Sequence, residues 1–102
     1  MGVQEYFSTL NDKVNPDNLD GINAIINFDL DSSKNHIIVK DNKIVNGDGL
    51  ADGAEVTITA KEKDLLSVIS GDTNPMMAIM TGKLKITNPA AMMKYAKILG
   101  LM

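Results

Sequence analysis

The chain is 102 residues long, 44% hydrophobic and 23% charged, enough for one domain (residues 1–102) around one hydrophobic core. A net charge of −3, with ten lysines and no arginine, makes it a poor binder of nucleic acid, because phosphate and guanine recognition lean on arginine forks. The absence of cysteine excludes disulfides, thiolate chemistry and cysteine-ligated zinc.

Met1 to Leu10 carries no basic-then-apolar leader pattern, and no apolar run reaches the roughly 20 residues of a membrane span. A soluble cytoplasmic protein is the expectation. Val3, Tyr6, Phe7, Leu10 and Val14 fall at helical spacing and predict an amphipathic helix over about residues 3–14. Asn15-Pro16-Asp17 breaks it, and Asp20-Gly21 turns the chain. Ile22, Ala24, Ile26, Phe28 and Leu30 then alternate with Asn23, Ile25, Asn27 and Asp29, the pattern of a strand with one apolar face. Asp31 to Asn35 reads as a polar hairpin loop and His36 to Lys40 as a second strand. Asp41-Asn42 can supply the two positive-φ positions of a tight turn into a third strand over Lys43 to Asn46. Gly47 to Gly53 is an irregular, exposed connection. Glu55 to Ala60 is the fourth strand, and Lys61 to Ser70 a helix burying Leu65, Leu66, Val68 and Ile69.

Gly71 to Ile86 is the densest stretch of signals. Gly71 suits the left-handed position just past a helix end. Asn74 is an N-cap followed by Pro75 at the favoured first helical position. Met76, Met77, Ile79 and Met80 crowd about two helical turns, Gly82 ends them, and Lys83-Leu84-Lys85-Ile86 alternates as a fifth strand, Lys83 to Thr87. Asn88-Pro89 repeats the cap and opens a last helix from Pro89 to about Leu99, lined on one side by Met92, Tyr95, Ala96 and Leu99, with Lys94 and Lys97 pointing away.

A helical connection of about 20 residues between strands four and five predicts that this pair is parallel, so the sheet is mixed. Asn23, Asn27, Asp29, Thr57, Thr59, Lys83, Lys85 and Thr87 predict a polar outer face. With one apolar face, all helices belong on that side, giving a two-layer α+β sandwich. The helical layer is rich in small and soft residues, with six of the seven methionines between Met76 and Met102. Methionine adapts its shape to varied apolar partners. Such a layer either fills a core or leaves an elongated apolar space, and periodicity does not choose.

Catalytic patterns are missing. His36 stands alone on a strand, no serine sits in a G-x-S-x-G elbow, and the 47–53 loop has Leu50 where an EF-hand needs a ligand. Gly47-Asp48-Gly49 lacks the third glycine of a dinucleotide loop. No enzyme activity, cofactor or metal is expected.

Asn74-Pro75, the apolar run after it, and Gly82-Lys83-Leu84-Lys85-Ile86 resemble the signature of the sterol carrier protein type 2 domain family. The Lys40-Asp41-Asn42-Lys43 hairpin, the Ala51-Asp52 approach to strand four and the helix ending at Gly71 extend the resemblance over nearly the whole chain. It implies a five-stranded mixed β-sheet with helices on one face and an apolar tunnel between the layers, holding a fatty acid, acyl-CoA, sterol or phospholipid without catalysis. On that tunnel the lining candidates are Phe7, Ile26, Phe28, Leu65, Ile69, Met76, Met77, Met80, Ile86, Met92, Met93, Ala96 and Leu99. The sequence departs from the family in running Thr87-Asn88-Pro89 directly into a helix and in lacking a tryptophan in the meander. Those departures favour a linear acyl or isoprenoid chain over a sterol. The Gly100-Leu101-Met102 tail is not a serine-lysine-leucine peroxisomal address.

The expected function is lipid binding or transfer, with a lipid or fatty-acyl ligand as partner. The alternative is an accessory or assembly module that uses the groove for a protein or an isoprenoid biosynthetic intermediate. A transient contact with a membrane surface through lysines such as Lys94 and Lys97, no nucleic acid, and a monomer or weak homodimer complete the expectation. The last helix, Pro89 to Met102, is expected to be the lid of the ligand space.

Overall fold

Asp41 and Asn42 adopt φ of 52° and 61°, the two left-handed positions that a two-residue hairpin turn demands and that short polar side chains tolerate. They join β2 (Lys34–Lys40) to β3 (Lys43–Asp48) in an antiparallel pair, with Ile38 opposite Val45. β1 (Ala24–Leu30) lies antiparallel on the other side of β2. The chain is described by a computed structural model over residues 2–14 and 16–95, without the side chains of Asn11, Lys13, Pro16, Asn18 and Met93.

With β4 (Val56–Ala60) and β5 (Leu84–Ile86) the sheet has the order β3-β2-β1-β4-β5. It is mixed, as expected, but the parallel pair is β1–β4, while β4 and β5 run antiparallel. Length misled the prediction. The connection holds two helices, α2 (Glu62–Ile69) and α3 (Pro75–Met80), about 12 and 9 Å long, that contact each other. The chain therefore re-enters the sheet where it left, with Leu84 beside Ala60.

α1 (Val3–Lys13) packs against β3, α3 against β5, and α4 (Pro89–Tyr95) against β4. The core lies between layers: Ile26, Phe28, Ile37, Val39, Val56, Ile58 and Leu84 from the sheet meet Phe7, Leu65, Ala78 and Met92 from the helices. The Phe7 and Phe28 rings meet edge to face at 4.9 Å.

Both caps read from the signature stretch form. Asn74 Oδ1 accepts the Met76 N–H at 2.8 Å. Gly82, at φ 80°, carries a Schellman closure in which the Lys83 N–H reaches the Ala78 carbonyl and the Gly82 N–H the Ile79 carbonyl. Asn88 caps α4 by accepting the Ala91 N–H. α2 is capped from outside, since the Glu62 N–H donates to Asp31 Oδ1 at 2.8 Å and Ser32 Oγ donates to Glu62. The β1–β2 turn thus holds the start of α2.

The outer face is less uniformly polar than expected. Ile25, Ile38 and Val45 form a cross-strand apolar row on it. Asn27, assigned to that exposed face, is buried because the connection to β4 folds back across β1. β2 also begins earlier than predicted, which brings Asn35 into the buried inner layer beside Ser33 and Gln4.

Candidate apolar ligand site

Alternation along β1 and β4 turns Ile26, Phe28 and Ile58 inward, while helical spacing turns Leu65 on α2 and Met92 on α4 toward them. The candidate residues separate into three depths. Phe7, Ile26, Phe28, Leu65 and Met92 are core residues. Ile69 and Ile86 are half-buried and pack against that core from α2 and β5. Met76, Met77 and Met80 stand on the surface, 57%, 54% and 77% exposed. The side chain of Met93, together with Ala96 and Leu99, lies outside the described residues.

The exposed members all sit on α3, which packs against the edge strand β5 and contacts α2. β5 has three residues, and α3 is the helix that packs on it. α3 anchors itself through Ala78, which is fully buried, and leaves Met76, Met77, Ile79 and Met80 to the surface. Burying the small residue while exposing the large ones reverses the usual economy of an amphipathic helix.

Tyr6, Phe7 and Phe28 form a chain of ring contacts, and burial pushes the Tyr6 phenol well above its ordinary range. α4 is seated through Ala91, Met92 and Tyr95, and Tyr95 donates to Glu55 Oε2 at 2.7 Å. That hydrogen bond first, then burial and the Glu55 charge, push the Tyr95 phenol up to about 12. The start of the expected lid is therefore fastened to the approach to β4; its continuation beyond residue 95 lies outside the described residues.

Sequence reasoning passed over Asn27, Asn35 and the Tyr95–Glu55 pair. Asn35 carried a signal, since it continues the inward alternation of Ile37 and Val39. Asn27 and Glu55 carried none, because their partners are remote in sequence. Among the described residues no helix is long and apolar enough to cross a membrane.

A mixed sheet roofed on one face by short helices over an apolar interior defines a class of small α+β domain. The chain matches the SCP-2 sterol transfer family over residues 3–100 and belongs to that family. Its fold is similar to the sterol carrier protein domain 2 of Helicoverpa armigera, at TM-score 0.76 and 22% identity, over 97% of this chain and 87% of that one. It is also similar to palmitated SCP2L2 from Aedes aegypti, at TM-score 0.70 and 16% identity, over 97% and 95% of the two chains. The sec-alkylsulfatase Pisa1 from Pseudomonas sp. contains a region of the same fold, at TM-score 0.85 and 17% identity. That match covers 100% of this chain and 16% of the sulfatase, so the chain spans about a sixth of that enzyme's length. No curated protein matches it by sequence.

Proposed function

We propose that the protein is a non-catalytic carrier that takes one long apolar chain, a fatty acid, its acyl-CoA or another linear lipid, between sheet and helices, entering beside α3 and β5. The observation that carries this reading is the exposure gradient from Leu65 through Ile69 and Ile86 to Met76, Met77 and Met80. These residues sit on α2, α3 and β5, elements that contact one another in turn, and the exposed ones are side chains that change shape cheaply. Family membership and the palmitated relative support the ligand class. Burying a chain of about ten methylenes yields roughly 8 kcal/mol before the entropy of association is subtracted, enough for useful affinity without a single polar contact.

Native mass spectrometry of gently purified protein is expected to show one co-purified lipid, and delipidated protein to take up palmitate. Ile69→Trp, which fills the path at its half-buried step, should abolish uptake while leaving the circular dichroism spectrum intact. Protein that purifies empty and takes up no palmitate would overturn the carrier reading.

A further inference from the structure

The chain has no cysteine, so its thioethers are the side chains most open to oxidation by peroxides. The described methionines fall into two environments. Met92 is buried in the core, whereas Met76, Met77 and Met80 are exposed on α3. At about 100° of turn per residue, Met76, Met80 and Met77 share an arc of about 100° on that helix. Ala78 lies on the side turned to the core. The described contacts that seat α3 are made by its backbone and by other side chains. Asn74 Oδ1 caps its start, Thr81 Oγ1 donates to the Met77 carbonyl at 2.8 Å, the closure at Gly82 ends it, and Ala78 is its buried anchor. Oxidation of the three thioethers can therefore change the surface of α3 without dismantling the helix.

We propose that Met76, Met77 and Met80 form a reversible oxidation site for hydroperoxides, and that their sulfoxides close the carrier's entry to apolar chains. The inference rests on the carrier reading and adds a regulation to that same site. A thioether sulfur attacks the terminal oxygen of the peroxide and the O–O bond breaks. That oxygen stays on sulfur, and its proton passes to the leaving oxygen. Sulfur gives up two electrons, and hydrogen peroxide is reduced to water. The product is a sulfoxide, a polar group where an apolar one stood. A lipid chain moving past it strips water from the sulfoxide oxygen and offers no donor in return. Three such groups on one helix face turn a soft apolar surface into a hydrated one. Methionine sulfoxide reductases return each sulfoxide epimer to the thioether, so the change is reversible. Met92, held in the core by α4, meets peroxide only when the structure opens.

Graded hydrogen peroxide followed by peptide mass spectrometry reads the site without reference to any lipid. Met76, Met77 and Met80 should reach half-oxidation roughly tenfold sooner than Met92. Palmitate titrations on the same samples read the consequence. Affinity should fall roughly tenfold once α3 is oxidised, with the circular dichroism spectrum unchanged. Methionine sulfoxide reductases A and B together should restore both the thioethers and the uptake. M76L/M77L/M80L removes the three sulfurs and keeps Met1, Met92, Met93 and Met102. Whatever its own affinity for palmitate, peroxide should not lower it. An equal loss on peroxide treatment in this variant overturns the inference, as does Met92 oxidising alongside α3. Reduced wild-type protein separates the two readings. Palmitate uptake that is the same before and after oxidation of α3 defeats the oxidation site and leaves the carrier standing, whereas reduced protein that takes up none defeats the carrier and the regulation with it.

Discussion

Asn27 donates Nδ2–H to the Ala51 carbonyl at 3.0 Å and accepts the Ala51 N–H at 2.8 Å, closing the loop between β3 and β4 onto β1. A carboxamide can satisfy a backbone donor and acceptor together, and no apolar residue of that size can. Asn27→Ala should lower unfolding free energy by about 2 kcal/mol in chemical denaturation, one hydrogen bond at a time being worth about 1. An unchanged midpoint would mean that water replaces the pair at no cost. Tyr95 gives a prediction in pH. Its folded-state pKa of about 12 exceeds the ordinary phenol value of 10.0, so the folded protein holds the phenolic proton more tightly than the unfolded chain. That contribution is complete below about pH 10 and is lost as pH rises toward 12. Tyr95→Phe should be less stable than the wild type at neutral pH, and the gap should narrow on alkaline titration followed by denaturant midpoints. A gap that widens with pH would contradict the assignment.

At the level of elements, α2 and α3 divide the work of one crossover. α2 buries Leu65 and Val68 and receives its cap from the β1–β2 turn, whereas α3 is six residues held by an asparagine cap, a glycine closure and Ala78. A helix this short is marginal without tertiary support. Substitutions should report that asymmetry. Leu65→Ala opens a cavity in the closed core and should cost 2–5 kcal/mol, a range of roughly that size being usual for buried leucine. Met77→Ala removes an exposed side chain and should cost about 0.5 kcal/mol or less, while weakening palmitate uptake. Denaturant unfolding and a palmitate titration on the two variants check both halves. A Met77→Ala cost equal to that of Leu65→Ala would place Met77 in the core and remove it from the mouth.

At the scale of the whole molecule, the sheet is closed at its centre and thin at one margin. β1 is bonded on both sides, to β2 through a local hairpin and to β4 across a separation that spans two strands and a loop. The β3 margin is covered by α1, and Asn46 ties the two by donating to the Phe7 carbonyl at 3.3 Å. The β5 margin has three residues and one short helix. Openings with low free-energy cost concentrate where buried apolar contacts are few. The entry route proposed for the ligand falls on that margin.

Much of this was legible before any coordinates. Local rules settled the helix caps at Asn74 and Asn88, the left-handed turn at Asp41-Asn42, the left-handed Gly71, the end of α3 at Gly82, and the inward residues of β1 and β4. Each depends on residues a few positions apart, which is the range over which a chain encodes its own geometry. Tertiary structure decided the rest. Strand direction at β5 depended on the chain returning to the end of β4 that it had left, which periodicity does not carry. The burial of Asn27 depended on a loop some 24 residues away in sequence folding onto it. The sorting of one continuous apolar list into core, threshold and surface depended on which helix face met the sheet. A sequence states that Met76, Leu65 and Phe28 are apolar, but exposure belongs to the assembled layers, since it is the neighbour rather than the residue that removes the water.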